Sequence, residues 1–140
     1  MKHAGKKIMT WIILVTLGIF VQIGPASAAV TLDISVPDVV TPGPAFTVTV
    51  IATNDSATDT VTFNKVAAVY LIGDMKYKGP YEVYTTQRTI PPGTSTQFTF
   101  QFAIQYTRGC IVPLGISLFN NKYDYNNAIA FNVIGVNVTK

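Results

Sequence analysis

The chain has 140 residues, of which 49% are hydrophobic and only 12% are charged, and its formal net charge is +3. Three lysines lie in the first ten residues, whereas from Ala29 onward seven basic and seven acidic residues cancel. This length fits one domain. A neutral body without a basic face excludes nucleic acid as a partner, because that binding depends on neutralising phosphates.

Residues 1–28 have the three-part layout of a secretory signal peptide. Lysines open the segment, an uncharged apolar run follows at Trp11–Ile23, and Ala26-Ser27-Ala28 supplies small residues. This layout predicts cleavage after Ala28 and a secreted, extracellular or periplasmic mature domain at 29–140. The alternative is a retained membrane anchor, for which the run is shorter than the roughly 20 residues a span needs. Membrane contact is therefore expected only through an uncleaved signal peptide.

The first half of the mature domain alternates apolar and polar residues with a period of two, which is typical of half-buried strands. Val30–Val36 and Phe46–Thr53 show the pattern, and Val61 and Phe63 resume it after a polar loop. The run Val66–Ile72 is apolar at every position except its tyrosine. It predicts a central strand covered on both sides, with a short helix as the alternative.

The second half continues in the same way. An exposed loop is expected at Gly73–Tyr81, and a polar strand at the edge of a sheet is expected at Glu82–Ile90. The remaining expected elements are an aromatic strand with Phe98, Phe100, Phe102 and Ile104, a strand at Cys110–Phe119, a hairpin loop at Asn120–Asn127, and a last strand with a β-bulge beside Gly135.

About seven strands and no convincing helix predict an all-β protein, an immunoglobulin-like antiparallel β-sandwich. A closed barrel is the alternative.

Three segments carry a resemblance to a known group of domains. Thr41–Phe63 joins a Pro/Gly turn to a strand and an Asn-containing loop, Ile90–Phe102 joins a second Pro/Gly turn to the aromatic strand, and Ser117–Val133 is the closing hairpin. Together they resemble bacterial immunoglobulin-like domains, including the cell-adhesion-related (CARDB-like) domains. The resemblance implies a secreted or surface module that binds, spaces or displays other elements, and it implies no shared functional residues.

Residues for catalysis are sparse. A nucleophile needs a base, most often histidine, and the only histidine is His3 in the predicted signal peptide. Asp74 and Glu82 flank one loop, but Lys76 and Lys78 lie between them and can neutralise them. The sequence predicts that the chain is not an enzyme and has no cofactor.

One loop has the composition of a weak cation site. Asn54, Asp55, Ser56 and Asp59 offer oxygen atoms of the kind that Ca²⁺ binds, but their spacing lacks the carboxylate density of calcium loops. A turn stabilised by its own side chains is expected instead, and no metal site. Asn54-Asp55-Ser56 and Asn137-Val138-Thr139 also match the N-glycosylation pattern.

Tyrosines in two predicted loops are the strongest candidates for a contact surface, because tyrosine combines a rigid apolar ring with a polar tip. If the loops Gly73–Tyr81 and Asn120–Asn127 share one end of the sandwich, they form one patch. The expected partner-binding residues are Tyr77, Tyr81, Tyr84, Tyr123 and Tyr125 with Lys76 and Lys78. The alternative is that these tyrosines are half-buried along the sheet edges.

The expected function is that of a secreted or surface-associated, non-catalytic binding, adhesion or assembly module with a protein or polysaccharide partner. A carbohydrate-binding module that stacks sugars on tyrosines is one alternative. A self-assembling structural subunit, forming a homo-oligomer through edge strands, is the other. The single cysteine, Cys110, is expected to be buried, with an intermolecular disulfide as the alternative.

Overall fold

The computed structural model describes residues 30–72, 76–105, 110–122 and 127–139, without the side chain of Cys110. The predictions for the signal peptide, Asp74, Tyr123, Tyr125 and the Cys110 thiol lie outside the described residues. Across these ranges there are nine strands and no α-helix. They are β1 (Val30–Ser35), β2 (Phe46–Asn54), β3 (Val61–Phe63), β4 (Lys65–Ile72), β5 (Lys76–Tyr84), β6 (Arg88–Ile90), β7 (Ser95–Phe102), β8 (Cys110–Phe119) and β9 (Ala130–Val138).

The strands form two large sheets and one small sheet. The three-stranded sheet has the order β1-β2-β7, the four-stranded sheet has the order β5-β4-β8-β9, and β3 pairs with β6. Every pair of these strands is antiparallel. The predicted all-β sandwich is confirmed, and the described strands do not close into a barrel. No helix in the described ranges has the length and hydropathy to cross a bilayer.

The core lies between the two large sheets and follows the alternation in the sequence. Val48 and Val50 of β2 and Phe98 of β7 face Leu114 and Ile116 of β8, and all five are buried. Each fully buried side chain of this size contributes about 1.5–3 kcal/mol relative to an exposed one. The apolar run in β4 is a central strand, as predicted, because β4 lies between β5 and β8. It is not covered on both sides, since Val69 and Leu71 on its outer side are only partly buried.

The expected number of strands was about seven, and the difference arises in two places. At Asn64 the chain passes from the small sheet to the four-stranded sheet, and this separates β3 from β4. The Asn64 amide nitrogen donates to the Asn121 carboxamide oxygen (2.8 Å), and the Asn121 backbone N–H donates to the Asn64 carboxamide oxygen (2.7 Å). The predicted strand Glu82–Ile90 is likewise divided: residues 82–84 end β5, whereas 88–90 form β6 in the small sheet.

The predicted exposed loop Gly73–Tyr81 is wrong from Lys76 onward, because these residues form the first part of β5. The strand lies at the edge of the four-stranded sheet, and its first seven residues are exposed. A strand with so little burial does not need the apolar alternation by which strands are recognised. The prediction that Glu82–Ile90 lies at a sheet edge is confirmed for residues 82–84, because they belong to this edge strand.

The predicted β-bulge beside Gly135 is also wrong. The β8–β9 register runs without interruption from Cys110↔Val138 to Leu118↔Ala130. Phe131 and Val133 therefore point away from the core, on the opposite side of β9 from Val136. The irregularities in this sheet are between β4 and β5, near Ala67 and Ala68.

Asn54 fixes the loop between β2 and β3. Its side chain is fully buried, and its amide nitrogen donates to the backbone oxygens of Asp59 (2.7 Å) and Ile90 (3.0 Å). Its carboxamide oxygen accepts from the Ser56 backbone N–H (3.0 Å). The loop is thus a turn stabilised by its own side chains, as predicted. Because the Asn54 amide nitrogen is buried and already donates twice, this residue is a poor acceptor for glycosylation.

We predict that Asn54→Ala lowers the free energy of unfolding by about 2–3 kcal/mol, because it leaves buried backbone donors and acceptors without partners. Asp55→Ala, at an exposed position in the same loop, is the control and is expected to change stability by less than about 0.5 kcal/mol. Urea denaturation measures both. Equal losses for the two variants would contradict this role for Asn54.

Candidate functional site

The candidate site is the outer face of the four-stranded sheet, the side turned away from the core. Side chains alternate between the two faces of a strand, and residues directly opposite each other on paired strands share a face. Leu71 of β4 is opposite Tyr77 of β5, and Gly115 of β8 is opposite both Val69 and Val133. We call this surface the apolar sheet face; it comprises Val69, Leu71, Tyr77, Ile111, Pro113, Gly115, Phe131, Val133 and Gly135.

Four large side chains on the apolar sheet face are open to solvent. The exposed fractions are 74% for Tyr77, 71% for Ile111, 51% for Phe131 and 45% for Val133. Scattered exposed apolar residues are normal, but a contiguous apolar patch marks an interaction site. These four residues belong to three strands of one sheet and are connected by Val69, Leu71 and Pro113.

Two glycines keep this face flat. A Cβ atom at Gly115 would lie 3.1 Å from the Phe131 ring and 3.2 Å from Val69, so the ring lies across the glycine backbone. A Cβ atom at Gly135 would lie 2.7 Å from the Ile111 side chain. Larger residues at either glycine would push Phe131 or Ile111 outward. The glycines therefore let large apolar side chains lie along the sheet.

Among the described residues, the charged side chains on the outer side of the four-stranded sheet lie at one corner, beside the apolar sheet face. There, the Lys65 ammonium is 3.9 Å from the Glu82 carboxylate, and both groups are partly exposed. Lys76 and Lys78 flank Tyr77 in β5, so their side chains start from the opposite side of that strand. The structure thus separates these lysines from the tyrosine with which the sequence analysis grouped them.

The outer face of the three-stranded sheet has the opposite character. Its outward positions on β1, β2 and β7 carry hydroxyl, amide and carboxylate side chains, with Ile51 as the one aliphatic residue. The Thr53 and Ser95 hydroxyls are hydrogen-bonded at 2.8 Å, and the Gln101 amide donates to the Thr47 hydroxyl at 2.8 Å. One sheet therefore has the usual polar exterior of a sandwich, and the other does not.

Tyr81 and Tyr84 close the open side of the sandwich between β5 and β7. The Tyr81 ring stacks on Tyr70 at 6.1 Å and meets Phe102 edge-on at 5.8 Å. The Tyr84 ring lies 5.0 Å from Phe98, and its hydroxyl accepts a hydrogen bond from Arg88 Nε at 2.8 Å. These packed rings leave Tyr77 as the described tyrosine most available to a partner.

The two predicted contact loops lie at opposite ends of the four-stranded sheet. Lys65 at the start of β4 is opposite Phe119 at the end of β8, so residues 120–122 follow at that end. Ile72, which precedes residues 73–75, lies at the other end opposite Lys76. The described flanks of the two loops are therefore at opposite ends, and they do not meet the condition for a single patch, which was that the loops share one end. The apolar sheet face extends between the two ends.

The exposed apolar positions of β8 and β9 were not expected from the sequence, although a signal was present. In Cys110–Phe119 the residues between the core positions include Ile111 and Pro113 instead of charged or hydroxyl side chains. The same holds for Val69 and Leu71 in β4. For Val66–Ile72 the apolar residues on both faces were interpreted as coverage on both sides, but the described part of the chain covers only one side of β4 fully.

The described residues contain no cluster of three or more histidine, cysteine or acidic side chains that could hold a metal ion. Around the loop considered for Ca²⁺, the Ser56 hydroxyl accepts from the backbone N–H groups of Thr58 (3.3 Å) and Asp59 (2.9 Å). Asp55 accepts from the Thr31 hydroxyl at 3.3 Å. The Ser56 hydroxyl thus stabilises the turn itself, and Asp55 connects the loop to β1.

Comparison with known proteins supports the fold. No protein-family model and no curated protein matches the chain. Among solved structures, the CARDB domain of a Pyrococcus furiosus protein is similar at a TM-score of 0.51 and 15% identity, over 80% of this chain and 95% of that domain. The fold is CARDB-like. The resemblance found in the sequence is thus confirmed at the level of the fold.

Two larger proteins contain a similar fold as one part. Spo0M, a sporulation control protein from Bacillus subtilis, matches at a TM-score of 0.57 and 19% identity, over 83% of this chain and 51% of that protein. A β-glucosidase from Listeria innocua in complex with isofagomine matches at a TM-score of 0.53 and 12% identity, over 84% of this chain but only 17% of the enzyme. At these identities the likeness concerns the fold alone.

Tyr70 provides a test of the closed side of the sandwich. Burial raises the pKa of the Tyr70 phenol, and the neighbouring Tyr81 raises it further, while a hydrogen bond from the Gln105 backbone acts in the opposite direction. The folded state therefore holds this proton more tightly than the unfolded state. The resulting stability is complete below the ordinary tyrosine pKa of about 10 and is lost as pH rises through the higher folded pKa.

We predict that unfolding free energy falls above about pH 10 and that this fall is smaller in Tyr70→Phe. Ultraviolet difference spectra should show one late-ionising tyrosine that Tyr70→Phe removes and Tyr77→Phe retains. Urea denaturation at a series of pH values measures the stability. A late-ionising component that persists in Tyr70→Phe would contradict the burial of this phenol.

Proposed function

We propose that the chain is a secreted, non-catalytic binding module that contacts its partner through the apolar sheet face. The observation that carries this proposal is the difference between the two outer faces. A sandwich exposed to water on both sides has polar residues on both, yet the four-stranded sheet exposes Tyr77, Ile111, Phe131 and Val133. Contact with a partner would remove this surface from water.

Export is supported by the sequence of the first segment. The segment has the three features of a signal peptide, which are a basic start, an apolar run at Trp11–Ile23 and small residues before Ala29. The absence of histidine from residues 29–140 supports a role in binding rather than in catalysis. The CARDB-like fold is compatible with such a module, and the partner is proposed from the surface rather than from the fold.

We predict that the protein recovered from outside the cytoplasm of an expressing bacterial host begins at Ala29. Intact-mass spectrometry measures this directly. Ala28→Leu should block or displace cleavage because the processing site requires small residues, whereas Val30→Leu, just beyond the site, should leave it unchanged. Recovery of the full chain in the membrane fraction would instead indicate a retained anchor.

Photo-crosslinking tests the contact surface. A benzoylphenylalanine placed at Val133 should capture the partner in the native cells, because this position lies within the apolar sheet face. The matched control is Gln97, an exposed position on the outer face of the other sheet. Adducts from Val133 and none from Gln97 support the proposal. Adducts from Gln97 alone, or from neither position, would refute it.

A carbohydrate partner is the second candidate, favoured by the ring of Tyr77, the most exposed large apolar side chain among the described residues. Aromatic rings stack on the apolar faces of sugars. Co-sedimentation with insoluble polysaccharides, comparing the wild type with Tyr77→Ala, separates this candidate from a protein partner. Retention that depends on Tyr77 would favour the carbohydrate.

A further inference from the structure

We infer that the partner of the apolar sheet face is a second copy of this chain, bound face to face in a symmetric dimer. This inference rests on the proposed function, since it takes the apolar sheet face as the contact surface and names its occupant. Charge, area and shape each favour a second copy, and the edges of the sheet are less suited to pairing.

The charge distribution permits self-association. In a two-fold dimer each residue meets its own counterpart or a neighbour of it, so a charged face would repel itself. Among the described residues, the charged side chains on the outer side of this sheet are Lys65 and Glu82, which are of opposite sign and 3.9 Å apart. The centre of the apolar sheet face, around Gly115 and Val133, carries no charge, and its polar neighbour Ser117 is buried within the chain. Two copies can therefore meet without burying like charges.

The area fits a weak, reversible dimer. The outward positions Ala67, Ser117 and Phe119 at one end of the sheet are already buried within the chain. Four strands spaced about 4.8 Å apart, with about six open residues each at 3.3 Å per residue, give a face of roughly 400 Å². Two such faces bury on the order of 800 Å², which is less than a standard interface, so we expect a dimer with Kd on the order of 100 µM.

The shape of the face fits sheet-on-sheet packing. Phe131 lies across Gly115, and Ile111 packs against Gly135, so the large side chains form a low surface without a deep groove. Two sheets pack face to face at about 10 Å with strands aligned within about 30°. A helix or an extended peptide would fill a groove, whereas a second flat sheet covers the whole of a flat face.

The strand edges are less suited to joining two copies. The exposed edge strand β5 contains Pro80, which lacks a backbone N–H, and its first half carries Lys76 and Lys78. The edge of β9 is partly occupied by Val40, whose backbone N–H donates to Asn137 (2.8 Å) and whose oxygen accepts from Thr139 (2.9 Å). Edge pairing, which the sequence analysis considered, is therefore the less favoured route to an oligomer.

Sedimentation velocity of the exported protein tests the inference. The wild type should form dimers at about 100 µM, and Ile111→Lys with Val133→Lys should raise the dimer Kd about a hundredfold or more, because the symmetric contact then brings four lysines together. Both positions are exposed in the single chain, so folding is expected to persist. Circular dichroism confirms the fold of each variant.

The matched control is Thr47→Lys with Gln97→Lys, two exposed positions on adjacent strands of the other sheet. The two substituted positions have the same spacing in both pairs. Val133 lies four residues from Asn137, which is opposite Ile111. Gln97 lies four residues from Gln101, which is opposite Thr47. This control should dimerise like the wild type. In addition, isotope-filtered NMR of mixed labelled and unlabelled chains should show intermolecular contacts from Ile111, Phe131 and Val133.

Two results would overturn the inference. A wild type that stays monomeric at about 1 mM, or a dimer that survives the lysine pair on the apolar sheet face, would exclude this face as a homodimer contact. These results are distinguishable from failure of the proposed function. A monomer that is still crosslinked to another protein at Val133, or that binds neutral phosphatidylcholine vesicles, retains the face as a contact surface with a different occupant.

Discussion

The structure depends on burial of alternate side chains between two antiparallel sheets. With the Cys110 thiol outside the described residues, no described disulfide or metal cluster shares this task. Val48, Val50 and Ala52 of β2 are fully buried, and Leu114 and Ile116 of β8 are equally inaccessible. Burial of this surface is the dominant favourable term in folding. It also determines which residues remain outside, since each strand has one face for the core and one for the surroundings.

The outer faces of the two large sheets carry different kinds of side chain, although both sheets bury their inner faces in the same core. On the three-stranded sheet, hydroxyl and amide groups bond to each other across strands, as Thr53 does with Ser95. On the four-stranded sheet, aromatic and aliphatic groups lie over glycine, as Phe131 does over Gly115. Both arrangements are compatible with the same core. The second arrangement adds nothing to the core and leaves apolar surface in water, and this is the surface that we propose as the contact with a partner.

The sides of the sandwich are closed by different means. Between β5 and β7, aromatic rings fill the opening, with Tyr81 against Phe102 and Tyr84 against Phe98. At the β9 edge, the backbone of Val40 binds alongside the strand. Both devices limit the access of other chains to the strand edges. The apolar sheet face, with Tyr77, Ile111, Phe131 and Val133 exposed, is not covered in this way by the described residues.

The fold class and most of the strands could be predicted from the sequence alone. Alternation in Phe46–Thr53 and around Phe98, together with the apolar run Val66–Ile72, was sufficient, because side-chain period follows directly from backbone geometry. The sequence also indicated the CARDB-like resemblance. The sequence pattern did not predict β5, whose exposed edge position requires no alternation, and it predicted a β-bulge in β9, where the register with β8 is uninterrupted.

Only the tertiary structure decided the candidate site. Tyr77, Tyr81 and Tyr84 lie within nine residues of one strand, yet their surroundings differ because Tyr81 and Tyr84 meet rings from β4 and β7, whereas Tyr77 is opposite Leu71 on the outside. The sequence alone does not show whether an apolar residue lies in a core or on an open face. That depends on what packs against the residue, which is set by strand order and by register between segments far apart in the chain.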